Sequence, residues 1–230
     1  MNIPIINKIS NQRIIEILSL IIGTEACLVM AGWIFGVDFL TRIMSGGINM
    51  KFPTALAFFF SAIALYLIFR TVKDDYEPST LILPGIALML FLIMGVILLA
   101  NFTDTQTGLI ASLTGIETGM ENLFVKEQTP VYAEGSGLPA VITIINFITF
   151  GFACLNSLFI SQKRQKVFKL IGWFIVISSL IPIIGYLFSL PALYFEIYDQ
   201  TPIALNTALS FFLLGIGLII IGKIKTNHEI

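Results

Sequence analysis

Six long runs of apolar residues dominate the chain, and each is close to the roughly 20 residues that a helix needs to cross a bilayer. A membrane-spanning segment must satisfy its backbone hydrogen bonds internally, so each run is predicted to be an α-helix. The runs are residues 14–36, 52–69, 81–100, 138–160, 167–190 and 202–222. The pattern therefore predicts an all-α integral membrane protein with six transmembrane helices in a single domain, residues 1–230.

The first and last pairs of runs are similar in sequence. Residues 32–69 align without a gap on residues 185–222, and both segments contain Thr-Ala-Leu followed closely by two phenylalanines. A weaker match in the middle pair places Pro139 on Pro53. Each pair of runs would then form a helical hairpin that crosses the membrane in the same direction as the others. The sequence thus predicts three parallel repeats, whereas many transporters have inverted ones.

Basic residues are concentrated on one side of this topology. Ten lysines and arginines fall in the termini and in the segments that follow the second and fourth runs, against three in the other connections. Segments rich in lysine and arginine stay in the cytoplasm. We therefore expect a multi-pass protein of the bacterial inner (plasma) membrane with both termini cytoplasmic. Residues 101–137 would form a long outer loop.

Composition narrows the chemistry. Charged residues make up 12% of the chain, about half the usual share of a soluble domain. A net charge of −1 without a basic binding face predicts no nucleic-acid partner.

Two cysteines and one histidine cannot build the usual metal sites, so no metal or cofactor is predicted. Both cysteines, Cys27 and Cys154, lie in apolar runs and are expected to be buried. The spans also lack the acid pairs or Ser–His pairs that many enzymes use, so no catalytic activity is predicted.

Glu25 is the one ionisable residue well inside a predicted span. A charge there is costly, so such residues are candidates for function that face the bundle interior. Two roles are open: a neutral carboxylic acid that clasps a neighbouring helix, or a contact for a cationic or hydroxylated ligand. Ser178 aligns with Glu25 and Asn146 lies in the fourth span, which together predict a polar seam. Packing by interhelical hydrogen bonds and ligand binding are both consistent with such a seam.

Trp33 and Tyr186 also align and fall near the predicted outer interface. Aromatic residues at that depth commonly anchor a helix in the headgroup region. Together with Tyr194 and Tyr198, they are alternatively candidates for the lining of a shallow outer pocket.

Several short motifs carry a resemblance to a known class of membrane region. They are GYLF, LPALY and TPIALNTALSFFLLGIGLII near the end of the chain, IFGVDFL and MKFPTALAFF near its start, and TGIETGMENLF at 114–124. Between about residues 14 and 222, the chain resembles the N-terminal multi-helix membrane region of bacterial PAS-containing sensor histidine kinases and diguanylate cyclases.

The resemblance implies a sensory or regulatory domain that receives a signal at its outer face or polar seam. The last helix would pass that signal to the cytoplasm. Eight residues follow the last span, so we expect either an isolated domain or a protein that acts through a signalling partner or by self-association. An alternative is a structural or accessory subunit of a larger membrane complex. A small-solute or lipid transporter would need a continuous polar path, which the few polar residues within the spans disfavour.

Overall fold

The computed structural model describes residues 3–44, 47–74, 79–102, 139–159, 163–194 and 202–224. These residues form α-helices and one 3-10 turn, Pro191–Leu193, with no β-strand among them, which confirms the predicted all-α class. Residues 103–137 of the predicted outer loop lie outside the described residues. The helices are α1 (Ile3–Phe35), α2 (Asp38–Thr41), α3 (Phe52–Asp74), α4 (Ser79–Phe102), α5 (Val141–Asn156), α6 (Arg164–Leu187) and α7 (Leu205–Ile221).

Four of these helices, α1, α3, α4 and α6, are long and apolar enough to cross a membrane, which indicates a membrane protein. Helices α5 and α7 are also apolar but have only 16 and 17 residues. At 1.5 Å per residue they are about 24 to 26 Å long, somewhat less than the hydrocarbon core of a bilayer. Both begin three residues later than their predicted spans, after the extended residues Ala140 and Ala204.

Helices α1 and α6 end in the same way. Gly36 after α1 and Ser189 after α6 adopt the left-handed conformation, with φ of 68° and 53°. In each case the next amide donates to a carbonyl five residues earlier at 2.8 Å, from Val37 to Gly32 and from Leu190 to Gly185. This is the Schellman termination of a helix. It ends α6 at Leu187, before the predicted boundary at residue 190.

The six long helices pack as three hairpins, and the most extensive contacts join α1 to α3, α4 to α5 and α6 to α7. In the first hairpin, Lys73 Nζ near the end of α3 donates to Gln12 Oε1 near the start of α1, at 2.9 Å. In the third, Gln165 Nε2 at the start of α6 donates to the Ile224 carbonyl beyond α7, at 2.7 Å. Both hairpins are therefore antiparallel.

The second helices of the three hairpins, α3, α5 and α7, meet at the centre of the bundle, and we call them the inner helices. One phenylalanine from each contributes to a triad of rings: Phe58, Phe147 and Phe211. The ring centroids are 4.6 to 4.7 Å apart, and no ring is more than 2% exposed. Each such aromatic contact is worth roughly 0.5–1.5 kcal/mol beyond the area it buries. The triad sets the alignment of the three inner helices, because Phe58, Phe147 and Phe211 lie at the same level of the bundle.

Core positions follow the triad along the inner helices with alternating spacings of four and three residues. This is the spacing of parallel helices that share one apolar seam. No member of the set is more than 3% exposed. In order along the helices, the corresponding positions are Thr54, Thr143 and Thr207; Phe58, Phe147 and Phe211; Ser61, Phe150 and Leu214; Leu65, Cys154 and Leu218; Ile68, Ser157 and Ile221.

The register of the second hairpin differs by three residues from the sequence match. That match places Pro139 on Pro53, whereas the phenylalanine triad and the helix starts at Phe52 and Val141 place Ile142 there. The proline is misleading because Pro53 lies inside the first turn of α3, while Pro139 precedes α5. The shared pattern of threonine followed four residues later by phenylalanine marks the correct register.

The outer helices α1, α4 and α6 present apolar side chains to the outside of the bundle. Leu20, Leu81 and Leu170 are 70%, 83% and 72% exposed. Such a surface suits lipid rather than water. Cys27 is exposed on α1, which corrects the expectation that both cysteines are buried, while Cys154 is fully buried.

We predict that Gly215→Ala destabilises the fold by about 1–3 kcal/mol, since overpacking a tight contact displaces its neighbours. A Cβ at Gly215 would lie 2.7 Å from Val176 Cγ2 and 2.8 Å from the Gly172 carbonyl oxygen. The measurement is the midpoint of thermal unfolding in detergent. Gly85→Ala is the matched control, because an added Cβ there meets nothing within 4 Å. Equal losses in both variants would contradict a tight α6–α7 crossing.

We predict opposite effects for two substitutions at the left-handed residues. Ser189→Gly should raise the free energy of unfolding, and Gly36→Ala should lower it, each by about 1 kcal/mol, because a left-handed conformation strains any residue that has a Cβ. An added Cβ at Gly36 meets nothing within 4 Å, so the loss of stability in Gly36→Ala measures the backbone strain without a steric clash. Unfolding midpoints in one detergent provide the test, and shifts of the same sign would count against the assignment.

Candidate functional site

Two hydrogen bonds between polar side chains within the apolar helices join one hairpin to another. The first joins Glu25 on α1 to Ser210 on α7, whose hydroxyl donates to Glu25 Oε2. Ser210 is 1% exposed and Glu25 is half-buried. The donor to the carboxyl group is thus a hydroxyl rather than a basic side chain. This contact links the first and third hairpins.

The second contact joins Ser178 on α6 to Asn146 on α5, so it links the third and second hairpins. The Ser178 hydroxyl donates to Asn146 Oδ1 at 2.9 Å. The same hydroxyl also lies 3.0 Å from the Ile175 carbonyl of its own helix. Asn146 is 2% exposed. The structure therefore brings together two residues that the sequence placed in one polar seam.

These two contacts occupy corresponding positions in the bundle. Glu25 and Ser178 correspond in the alignment of the first and third hairpins, and each lies on the first helix of its hairpin. Their partners, Ser210 and Asn146, each precede the triad phenylalanine of an inner helix. The residue that precedes Phe58 on α3 is Ala57, which is fully buried. The position that is polar on α5 and α7 is therefore apolar on α3.

A third polar contact holds α7 to the first hairpin nearer to the helix start. Asn206 Nδ2 donates to the Thr41 carbonyl at 3.1 Å, and Asn206 Oδ1 accepts from the Thr207 amide at 3.1 Å. Asn206 and Ser210 are four residues apart and so share one face of α7. That face carries a line of hydrogen bonds from the loop of the first hairpin to Glu25.

Trp33 and Tyr186 each close the loop of their own hairpin. Trp33 Nε1 donates to the Met50 carbonyl at 2.8 Å, and Tyr186 Oη donates to the Ile203 carbonyl at 2.7 Å. Met50 and Ile203 are buried although they lie in irregular backbone. Their carbonyls need donors there, because a buried unpaired polar group is costly.

The two loops share further contacts at corresponding positions. The Met50 amide donates to the Thr41 carbonyl at 2.9 Å, and the Ile203 amide donates to the Tyr194 carbonyl at 3.0 Å. Tyr194 stacks on Tyr186 with ring centroids 4.2 Å apart. Trp33 and Tyr186 thus each contact the loop of their own hairpin, and these contacts do not bring the two residues into one pocket. Tyr198, the fourth residue of the predicted outer pocket, lies outside the described residues.

Other polar residues near the predicted seam have local roles. The Ser179 hydroxyl donates to the Val176 carbonyl of its own helix at 2.9 Å. Asn156 Nδ2 donates to the Arg164 carbonyl at 3.2 Å, and Arg164 Nη1 lies 3.3 Å from the Ser157 carbonyl. The contacts of Asn156 and Arg164 close the turn between α5 and α6. They belong to connections rather than to the contacts between helices within the bundle.

Sequence reasoning missed Ser210 and Thr41 as partners. Ser210 stands before Phe211 as Asn146 stands before Phe147, but this correspondence appears only in the register that the phenylalanine triad sets. Thr41 contributes a backbone carbonyl, which its side chain could not reveal.

The assembled groups are hydroxyls, amides and one carboxyl group, which suit hydrogen bonding between helices. Within the described ranges, no three His, Cys, Asp or Glu side chains lie close enough to hold a metal ion. The absence of catalytic activity and of a cofactor stays a prediction from sequence.

Comparison with known proteins does not assign the chain to a family. No protein-family model, curated protein or solved structure matches this chain. The resemblance to bacterial sensor regions therefore stays a prediction.

We predict that the Ser178–Asn146 contact contributes a coupling energy of about 0.6–2 kcal/mol, the range for hydrogen bonds between membrane helices. A double-mutant cycle of Ser178→Ala and Asn146→Ala, read as free energies of unfolding in detergent, measures it. Ser179→Ala combined with Asn146→Ala is the matched control, because the Ser179 hydroxyl bonds within its own helix. Coupling near zero in the first cycle, or equal coupling in both, would remove this contact from the site.

Proposed function

We propose that the protein is a six-span sensory or regulatory membrane domain built from three parallel repeats, with both termini in the cytoplasm. The signal arrives at the outer face or along the polar contacts between hairpins. It leaves through the end of α7. The cell membrane that fits this proposal is the bacterial inner membrane.

Three observations support six spans in three repeats. Four helices have the necessary length and apolar character, and α5 and α7 are apolar helices at the centre of the same bundle. The first and third hairpins share helix terminations and loop hydrogen bonds at corresponding positions. The three inner helices share the buried threonine and phenylalanine positions.

Two observations support a common side for the chain ends. The hydrogen bonds from Lys73 to Gln12 and from Gln165 to Ile224 place the start of α1 beside the end of α3, and the end of α7 beside the start of α6. Helices α3 and α7 run in the same direction, as the ring contact of Phe58 with Phe211 and the packing of Leu65 against Gly217 require. The basic residues at these ends favour the cytoplasmic side.

The moving part in this proposal is the third hairpin as a unit. Helix α7 is tied to α6 near both ends, by Tyr186 with Ile203 and by Gln165 with Ile224. Close packing of Gly172 on Gly215 joins the two helices between those points. A shift of α7 alone would break these contacts, whereas a rigid-body movement of α6 and α7 preserves them.

The observation that carries the proposal is that these two side-chain contacts, like the contact of Asn206 with Thr41, all involve the third hairpin. Ser210 binds Glu25 of the first hairpin, and Ser178 binds Asn146 of the second. The corresponding position on α3 is Ala57, which cannot form such a bond. We call the two side-chain contacts, Glu25–Ser210 and Ser178–Asn146, the latches of the third hairpin. A ligand that competes for one latch would favour a second packing.

The test is a fusion of the full chain to a diguanylate cyclase catalytic module after residue 230. We expect Ser210→Ala and Ser178→Ala each to change cyclase output roughly fivefold, because loss of about 1 kcal/mol shifts a two-state equilibrium by that factor. Product formation in isolated membranes, normalised to protein amount, is the measurement.

Ser179→Ala is the control and should leave output unchanged, because its hydroxyl bonds within α6. Unchanged output in both latch variants, with normal insertion, would overturn the sensory proposal. Purification of the native chain with a stoichiometric membrane partner would then favour an accessory subunit.

A further inference from the structure

We propose that the end of the third hairpin, where α6 begins and α7 ends, binds the phosphate headgroup of an anionic phospholipid. The three lysines that form this headgroup site are Lys166, Lys169 and Lys223. The inference needs only the placement of the helices in a membrane and is independent of the sensory role.

The geometry of the hairpin end brings two of these lysines together. A Cβ at Gly222 would lie 2.8 Å from Lys169 Cγ and 3.1 Å from the Lys169 amide nitrogen. The stem of Lys169 therefore lies directly against the last turn of α7, beside the residue that precedes Lys223. The hydrogen bond from Gln165 to Ile224 fixes the chain in this position at 2.7 Å.

The third lysine completes a cluster of positive charge. Lys166 lies one turn before Lys169 on α6, and side chains three residues apart on a helix are neighbours. Lys166 and Lys223 are exposed and Lys169 is half-buried. Neither α6 nor α7 contains an aspartate or glutamate. No acidic residue of α6 or α7 thus offsets the positive charge at this end of the hairpin.

The surface beneath the lysines suits an acyl chain. Leu170, Trp173 and Ile177 follow Lys166 along one face of α6 and are 72%, 55% and 58% exposed. Positive charge at headgroup depth directly above an exposed apolar stripe matches the two parts of a phospholipid. Long lysine stems can lie along apolar surface and hold the ammonium group at the interface.

Charge complementarity identifies the occupant as an anionic phospholipid. A lysine near the membrane surface favours anionic lipid by about 1 kcal/mol. A zwitterionic lipid carries its own compensating cation and so gains less from three ammonium groups. Free phosphate could bind the lysines but has no acyl chain to cover the apolar stripe on α6.

The experiment uses the full chain in nanodiscs that contain equal amounts of phosphatidylcholine and phosphatidylglycerol. Native mass spectrometry of the released protein measures the ratio of bound phosphatidylglycerol to bound phosphatidylcholine. We expect Lys169→Gln to lower that ratio roughly fivefold, the factor expected for one surface lysine. Lys169→Arg keeps the charge and should retain the preference.

Arg13→Gln is the matched control, because Arg13 is exposed at the same end of the bundle but lies on α1. It removes one charge outside the headgroup site and should leave the ratio unchanged. Equal binding of both lipids by the unaltered chain would overturn the proposal. So would an equal loss in Arg13→Gln, or displacement of the lipid by inorganic phosphate.

Discussion

The contact of Phe58, Phe147 and Phe211 is the constraint on which the rest of the bundle depends. Each ring comes from the second helix of a hairpin, so the contact brings three helices of the same direction onto one centre. A hairpin has its first helix beside its second, which leaves α1, α4 and α6 on the outside. Two of the residues that precede these phenylalanines, Asn146 and Ser210, contact a neighbouring hairpin and are the latch partners. The aromatic contact thus fixes the register that positions the polar contacts.

The first and third hairpins share their loop hydrogen bonds, but the three hairpins differ in the polarity of their contacts. The loops of the first and third hairpins close with corresponding hydrogen bonds, while the latch position is alanine on α3, asparagine on α5 and serine on α7. A hydrogen bond between membrane helices is worth about 0.6–2 kcal/mol, whereas apolar packing is spread over many weak contacts. Loss of one latch therefore removes a discrete part of the free energy that binds the third hairpin to its neighbours. Because of this asymmetry, the third hairpin is joined to its neighbours by two discrete side-chain hydrogen bonds.

Much of the architecture was predictable from sequence because apolar length is a direct signal of a membrane helix. The inward faces were harder to predict, because core and lipid are both apolar in a membrane protein and a helix has little amphipathic contrast. For this reason Cys27 was expected inside and lies outside. Glu25, Ser178 and Asn146 were recognisable because polar residues within apolar runs are rare. Ser210 was missed because a single serine near a helix start carries little contrast, and its position before Phe211 acquires meaning only once the aromatic triad sets the register.

The irregular segments that lead into α3 and α7 explain the two aromatic residues at the loops. Because α7 begins at Leu205 and α3 at Phe52, the chain that leads into each helix enters the bundle in an irregular conformation. Non-helical backbone at membrane depth is tolerated only where protein supplies its hydrogen bonds. Trp33 and Tyr186 donate to the buried carbonyls of Met50 and Ile203 and so meet that requirement. Both residues lie in the last turn of the first helix of their hairpin, so each first helix supplies the donor that the segment before its partner helix needs. Their alignment in sequence thus follows from a backbone requirement, without the need for a shared ligand pocket.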